Sequence, residues 1–541
     1  KKMRNVFYFK NKLRFALMAP ALAFSLMITS CEKQTLDEIT PSDSLTEASA
    51  FTTPERIMLA MNGVYDAAQS GFYANNAVRG YPFGAASIEQ GDTRGEDVLN
   101  VATFYQITYE GTQTTSSANN LYMWETLYAL INRANVVIEG LQGAAEAGTI
   151  TQEQADAYVA ECRFLRALAH HELLTNFARP YNETPDASHP GIPYRTMPIN
   201  SSDRVDEASA QGRNTVKEAY ELLLQDLDYA ENNLPAERNE QIIKATQGAA
   251  IALKTRVKLH MRDWSGVITE AEKLVSGTTT FTSPIGGYSL TETPEGPFAN
   301  DDSNTESIFS IQNSSNDNAS VNGSLANMYS GANRALIAIS PIIWNAAFWP
   351  EDDLRRTQLT AEYFDGERYT TKYRDLAAFS DNAPVIRYAE VLLNYSEAIT
   401  RTQGVTDKAL ALLNAVRGRA TDAVYATSGA TAPYLNISSP SGMLIAIGNE
   451  RRIEFLAEGL RWKDIHRTAK EGDFGFDGIP AKVYYNETVG EDWDAASGSV
   501  RAELLNNIPA RDYEDNAFLW PIPISEVNAN PVLAGQQNPG Y

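Results

Sequence analysis

The sequence has few of the residues that mark a disulfide-built or a nucleic-acid-binding protein. Only two of its 541 residues are cysteines, Cys31 and Cys162, so their number alone excludes a disulfide framework. Basic residues are also in the minority, because 45 Lys and Arg stand against 68 Asp and Glu and give a formal net charge of -23. An acidic surface repels a phosphate backbone and anionic lipid, so we expect no nucleic-acid partner and no polybasic membrane contact.

Near the start of the chain, the apolar run at residues 15–28 is too short for a membrane-spanning helix. It contains Pro20 and falls below the roughly 20 apolar residues that such a helix needs. Lysines and arginines precede it, and no acidic residue occurs among the first 30. These features predict a secretory signal peptide at residues 1–30, with a membrane-spanning anchor as the weaker alternative.

The run ends in "MITSC", which resembles a bacterial lipobox. Small residues at positions 29 and 30 would admit a signal peptidase, and the sulfur of Cys31 would then carry the lipid. The alternative is a stray cysteine in an ordinary signal sequence. We therefore expect Cys31 to be the lipidation site and residues 31–50 to be a lipidated tether.

Motifs of common enzyme classes are absent from the sequence. It has no phosphate-binding G-x-x-x-x-G-K-[ST], no G-x-S-x-G and no H-E-x-x-H. His170 and His171 are adjacent, so on a helix they point about 100° apart and cannot chelate one metal from one face. We predict no metal site, no cofactor and no catalytic residue.

The densest charged segment lies at residues 449–467. Its carboxylates Glu450, Glu454 and Glu458 share one helical face, and a glycoside hydrolase needs such a carboxylate pair. A general acid, however, needs a raised pKa. Four basic side chains of the same segment would keep these carboxylates ionised: Arg451, Arg452, Arg461 and Arg467. A structural ion-pair network is therefore the favoured interpretation.

Apolar residues recur at helical spacing along most of the chain. Thr53 before Pro54 predicts a helix start, and Thr151 with Gln154 predicts a capping box on a helix that buries Cys162. Further helices are predicted at about 215–233, 244–262, 384–402, 407–417 after the cap Asp407, and 444–468. Short links between them favour antiparallel helix hairpins of tetratricopeptide-like composition, without a regular repeat.

Two long segments of different composition interrupt the helices, at residues 70–120 and 276–383. Both are rich in Gly, Ser, Thr and Asn, and both keep many aromatic residues. Loops of this length in an ordered domain are usually functional. We expect a ligand site in these two segments.

Nine segments in order resemble the SusD/RagB family of outer-membrane nutrient-binding lipoproteins of Bacteroidetes. They are "MITSC", "LDEITPSDSLTEASAFTTPERIMLAMNGVYD", "MWETLYALINRANVVIEGL", "AECRFLRALAHHELL", "QDLDYAENNLP", "PVIRYAEVLLNYSEAI", "ALALLNAVRGRA", "ERRIEFLAEGLRWKDIHR" and "WPIPISEVNANPVLAGQQNPGY". In "NFARP", this chain lacks the glycine that the family more often has before the proline.

The resemblance implies a mostly α-helical fold with little β structure, in which irregular tetratricopeptide-like hairpins scaffold long loop-rich insertions. Residues 51–541 would form a single SusD-like domain. It also implies a lipid on Cys31 and a position on the cell outer membrane facing the medium. The partner would be a SusC-like TonB-dependent transporter, to which the protein delivers bound glycan.

Glycan binding requires exposed aromatic planes for the apolar faces of sugar rings and polar groups for their hydroxyls. In the two loop-rich segments, the candidate stacking residues are Trp344, Trp349, Tyr329 and Tyr105. The candidate polar partners are Arg79 and Asp92. For each aromatic residue, burial against the helical body is the alternative.

Three other hypotheses stay open. The ligand could be a peptide, with the same role in transport. The protein could be a glycoside hydrolase that uses loop carboxylates such as Asp92, Glu96 and Asp97. It could also be a helical adaptor that binds a barrel but no soluble ligand.

Overall fold

A computed structural model describes residues 47–72, 77–239, 242–364, 366–494 and 500–541. The predicted signal peptide, the predicted lipidation site Cys31 and residues 32–46 of the predicted tether lie outside the described residues. Among the helices of the described part, none has the length and apolar character needed to cross a bilayer.

Helices make up most of the regular structure. In chain order they are α1 (Glu47–Ala50), α2 (Pro54–Gln69), α3 (Ala85–Thr93), α4 (Gln106–Glu110), α5 (Ala118–Glu146), α6 (Gln152–Phe177), α7 (Ser202–Ser209), α8 (Val216–Asn233), α9 (Gln247–His260), α10 (Trp264–Leu274), α11 (Gly296–Ala299), α12 (Leu325–Tyr329), α13 (Pro341–Trp344), α14 (Leu354–Gln358), α15 (Tyr388–Gln403), α16 (Asp407–Gly418), α17 (Pro440–Glu454), α18 (Arg461–Thr468), α19 (Ile524–Ala529) and α20 (Pro531–Ala534).

The strands are short and pair two by two, antiparallel, within the described residues. The pairs are β1 (Val98–Asn100) with β3 (Ile337–Ile339), β2 (Ser307–Ile311) with β6 (Ala383–Arg387), β4 (Thr360–Tyr363) with β5 (Glu367–Thr370), and β7 (Gly478–Ile479) with β8 (Arg511–Asp512). The prediction of a mostly helical fold with little β structure is confirmed.

Helices that follow one another pack as hairpins, as predicted. Packed pairs are α5 with α6, α8 with α9, α9 with α10, and α15 with α16. Further contacts of α2 with α5, α6 with α8 and α10 with α15 join these hairpins into a continuous row. Their apolar sides form the main core, which extends from Ile57 in α2 to Ile522 near the end of the chain.

Local sequence signals explain where two of these helices start. The Thr53 hydroxyl accepts a hydrogen bond from the backbone N–H of Arg56 at 3.4 Å, and Pro54 occupies the first turn of α2. Thr151 and Gln154 form the predicted reciprocal capping box at the start of α6. Cys162 on this helix is fully buried, as expected for a small core residue.

Three predicted helix boundaries are wrong. Residues 383–387 form strand β6, because their backbone pairs with β2, and α15 begins only at Tyr388. The helix predicted at 444–468 is two helices, since Ala457 and Gly459 adopt positive φ angles of 66° and 73° between them. The cap of α16 is Thr406, whose hydroxyl accepts from the Ala409 N–H at 3.2 Å, while Asp407 is the first helical residue.

The two segments predicted as loop-rich contain short regular elements. The first holds α3, β1 and α4, and the second holds strands β2 to β5 with helices α11 to α14. Because β1 pairs with β3, the two segments contact each other. The two segments therefore meet at this strand pair.

Charged side chains of α17 and of the turn after it are buried in a group that we call the buried ion network. Its members are Glu306, Asp353, Arg355, Lys372, Arg387, Arg417, Arg419, Glu450, Glu454 and Glu458. Within this network, the single carboxylate of Glu454 contacts three arginines: Arg355 at 3.1 Å, Arg387 at 2.9 Å and Arg419 at 2.5 Å. The predicted structural role of the three glutamates is supported by these contacts.

The predicted partners of these glutamates are wrong. The four arginines of the same segment bind other acids, because a helix directs near neighbours to different faces. Their contacts are Arg451 with Asp464, Arg452 with Asp97 and Glu96, Arg461 with Glu96, and Arg467 with Glu397. Arginines that are distant in sequence neutralise the glutamates instead.

Candidate functional site

The two predicted tryptophans lie in the interior. Trp344 is 7% exposed and Trp349 is 2% exposed, and their rings meet edge to face with centroids 5.4 Å apart. The guanidinium of Arg356 lies 4.2 Å from the Trp344 ring centre, and the Trp344 indole N–H donates to the carbonyl of Trp493 at 2.8 Å. Neither ring offers a free face in this structure.

The predicted tyrosines and Asp92 form a second buried group. Tyr329 donates its hydroxyl hydrogen bond to Asp92 at 2.6 Å, and the backbone N–H of Gly459 donates to the same carboxylate at 3.0 Å. Burial raises the pKa of Asp92 to about 7. Tyr105 is fully buried against Phe104, with ring centroids 4.7 Å apart.

Arg79 differs from the other five candidates because it is only half-buried. The expectation of an exposed aromatic platform is therefore not met, since all four aromatic side chains are buried. Contact between any of the six side chains and a ligand stays a prediction.

Two of the three loop carboxylates weighed for hydrolysis, Glu96 and Asp97, are buried and paired with arginines. Burial favours the neutral form of Glu96, but Arg461 at 2.7 Å and Arg452 at 3.0 Å lower its pKa to about 2. Asp97 also pairs with Arg452. Glu96 thus lacks the raised pKa of a general acid.

A large open space lies elsewhere, between α2, α6, residues 238, 243 and 244, and residues 311–317. We call it the open cleft, and its volume is about 530 Å³. Its lining residues are Met58, Met61, Asn62, Tyr65, Asp66, Gln69, Tyr158, Glu161, Arg238, Ile243, Lys244, Ile311, Gln312 and Asp317. Pockets for small molecules commonly have volumes of about 300–1,000 Å³.

The α2 side of the open cleft follows from helical spacing. Met58, Asn62, Tyr65 and Gln69 recur every three or four residues, so they lie along one face of the helix. The adjoining face carries the buried residues Ile57 and Val64 of the core. The helix is thereby fixed on one side while the other side faces the cleft.

One group of cleft side chains is held by mutual contacts. The Tyr65 hydroxyl donates to Glu161 at 2.5 Å and accepts from the backbone N–H of Ala245 at 3.0 Å. Arg238 donates to the other oxygen of Glu161 at 3.0 Å, and the Lys244 ammonium lies 3.9 Å from the Tyr65 ring centre. Burial and the adjacent Glu161 raise the pKa of Tyr65 well above its usual range, so it stays protonated.

A second group keeps unused hydrogen-bonding capacity. Among the described residues, neither the Tyr158 hydroxyl nor the Gln312 amide has a hydrogen-bond partner. Gln69 donates to the carbonyl of Asp317 at 3.1 Å, but its buried amide oxygen has no partner. An unpaired buried polar atom is unfavourable, so the Gln69 oxygen is suited to bind a polar ligand, and the more accessible Tyr158 and Gln312 groups are open to the same ligand.

None of the six predicted residues lines the open cleft. The signal that could have found the cleft is the polar and aromatic face of α2. No group of three or more His, Cys, Asp or Glu in the described ranges is placed to hold a metal ion.

Two family profiles match the chain. One, described as the SusD family, matches residues 352–541, and one described as "Starch-binding associating with outer membrane" matches residues 36–259. SusD-like protein P38 of Formosa agariphila is 23% identical over 497 residues, which cover 82% of this chain and 89% of that protein.

Solved structures share the fold. A SusD superfamily protein from Bacteroides fragilis is 29% identical with a TM-score of 0.72, and the match covers 89% of this chain and 99% of that one. Surface glycan-binding protein A from Bacteroides fluxus is 20% identical with a TM-score of 0.61, and the match covers 91% of this chain and 100% of that one. The two profiles together with the helical-hairpin fold show that this chain is a SusD-like protein.

Proposed function

We propose that this protein binds glycan in the open cleft and delivers it to a SusC-like TonB-dependent transporter at the outer membrane. The observation that carries the proposal is the cleft itself, where the Tyr158 ring, the unpaired amide oxygen of Gln69 and the unpaired amide of Gln312 line one space. An aromatic ring packs on the apolar face of a sugar, and amides bind its hydroxyls.

The names of similar proteins support this role. One matching profile is described as starch-binding and as associating with the outer membrane, and the Bacteroides fluxus protein is named for glycan binding. These names describe binding rather than catalysis. We accordingly propose a binding protein and not an enzyme.

Lipid attachment at Cys31 and exposure to the medium are parts of the same proposal. Cys31→Ser is expected to abolish palmitate labelling and to release the protein from membranes. Labelling that persists in the variant would rule out Cys31 as the anchor. Co-purification of a TonB-dependent barrel with the tagged wild-type protein would test the transporter partner.

Calorimetry of the mature protein against neutral and charged oligosaccharides and a peptide panel tests the ligand class. We expect binding to a subset of the oligosaccharides and none to the peptides. Binding to peptides alone would replace glycan as the ligand. A parallel assay for reducing-sugar release should show no turnover, and an absence of any soluble ligand would leave the adaptor hypothesis.

A further inference from the structure

A second space adjoins the open cleft. We call it the side cleft, and its volume is about 540 Å³. Its lining residues are Arg238, Asn239, Ile242, Ile243, Asp302, Ser303, Asn304, Thr305 and Gln312. Arg238, Ile243 and Gln312 line both spaces, so the two clefts meet at these residues.

The junction combines a fixed side chain with an unpaired one. Arg238 donates to the carbonyl of Ala245 at 2.9 Å and to Glu161 at 3.0 Å, which holds its guanidinium in place. Gln312 is exposed and its amide has no partner among the described residues. A ligand that crosses from one cleft to the other would therefore pass a free amide.

The charges of both clefts are unfavourable for an anionic ligand. The lining cations, Arg238 and Lys244, already contact Glu161 and the Tyr65 ring. Exposed carboxylates remain at Asp66 and Asp317 in the open cleft and at Asp302 in the side cleft. Like charges placed together repel, and the net charge of the chain adds to this repulsion.

We propose that the open cleft and the side cleft form one groove for a neutral, extended oligosaccharide, with sugar units on both sides of Arg238 and Gln312. This inference rests on the proposed glycan binding and adds the charge and the length of the ligand. Each cleft alone has the volume of a small-molecule pocket, so a short sugar would fill only part of the groove.

The first test varies ligand length and charge with the mature wild-type protein. Neutral glucan, mannan and xylan oligosaccharides of increasing length are compared by calorimetry with alginate, polygalacturonate and sulfated galactan oligosaccharides. For the neutral series that binds, we expect affinity to rise at least about tenfold between the disaccharide and the longer members. We also expect this affinity to be insensitive to salt, because no ion pair forms.

The second test removes polar groups of the side cleft. In the double variant Asn239→Ala/Ser303→Ala, the affinity for the long oligosaccharide should fall by about tenfold, while the affinity for the disaccharide stays unchanged. Tyr158→Ala in the open cleft should weaken binding of both ligands. Gln403→Ala, at an exposed position at the end of α15, is the matched control, and thermal unfolding of each variant verifies its fold.

The outcomes separate this inference from the proposed function. Glycan binding without any dependence on length, or without an effect of the double variant, would overturn the two-cleft groove and leave glycan binding intact. Tighter binding of the anionic series would overturn the neutral ligand. Binding of no oligosaccharide at all would overturn the proposed function and this inference together.

Discussion

The buried ion network and the open cleft are both rich in polar side chains, but they differ in how these side chains are satisfied. In the network, Glu454 contacts three guanidinium groups and is 3% exposed. In the cleft, the Tyr158 hydroxyl, the Gln312 amide and one atom of Gln69 have no partner in the described part of the chain. The proposed site is thus distinguished from the network by unused bonding capacity in an accessible space rather than by charge density.

Breaking the network should have the largest effect on stability. Burial alone would raise the pKa of Glu454, but Arg419, Arg387 and Arg355 hold it well below its usual range. Glu454→Gln removes the charge and leaves these cations buried without full compensation. We expect the free energy of unfolding in urea to fall by about 3–5 kcal/mol.

The matched control is Glu503→Gln, because Glu503 is exposed and its contact with Arg501 is 3.3 Å long. A surface ion pair contributes about 0–1 kcal/mol, so this variant should unfold like the wild type. Equal effects of the two substitutions would show that the network does not stabilise the fold.

A buried histidine, His466, should make the stability of the protein depend on pH. Burial, with Arg94 and Arg179 nearby, lowers the pKa of His466 to about 3, although its hydrogen bond to the Ala178 carbonyl favours the charged form. An unfolded histidine has a pKa near 6.5, so the unfolded chain binds this proton first as the pH falls. The stabilisation is complete above pH 6.5 and is lost progressively toward pH 3.

From pH 7 to pH 5, this single group should lower the free energy of unfolding by about 2 kcal/mol. Urea unfolding of His466→Gln over the same range should show a pH dependence smaller by about that amount. His189→Gln is the control, since His189 is half-buried and should contribute less. A pH dependence unchanged by His466→Gln would mean that folding does not lower the pKa of this histidine.

Sequence reasoning located the helices well, because caps and apolar stripes are local signals. Thr53, Thr151 and Gln154 cap as expected, and Cys162 is in the core. The strand at residues 383–387 was missed because its partner β2 lies far away in sequence. Pairing of this kind depends on tertiary contacts that local propensity does not contain.

The site was harder to locate for a similar reason. Aromatic residues in segments without helical periodicity suggested an exposed platform, yet Trp344 and Tyr329 are buried. Composition does not say which aromatic residues are buried. The open cleft combines α2, α6 and residues 311–317, which only the folded chain brings together.

Replacing a buried aromatic residue should separate an effect on stability from an effect on ligand binding. Trp344→Phe removes the indole N–H that donates to the Trp493 carbonyl and leaves a small gap beside Trp349. We expect the free energy of unfolding to fall by about 1–2 kcal/mol, with no change in oligosaccharide affinity by calorimetry. A loss of affinity at unchanged stability would instead return Trp344 to the ligand site.

The smallest expected effect is at Tyr158 in the open cleft, where a substitution should change ligand affinity but not stability. Tyr158→Phe keeps the ring and removes a hydroxyl that has no partner in the described structure, so the free energy of unfolding should stay within about 0.5 kcal/mol of the wild type. If this hydroxyl binds a sugar hydroxyl, affinity for the long neutral oligosaccharide should fall by about 0.5–1.5 kcal/mol. Tyr434→Phe, at a half-buried tyrosine outside both clefts, should change neither quantity. The two variants should thus give opposite results: Trp344→Phe changes the free energy of unfolding, and Tyr158→Phe changes the affinity for the oligosaccharide. If both variants lowered only the free energy of unfolding, the ligand would lie outside the open cleft.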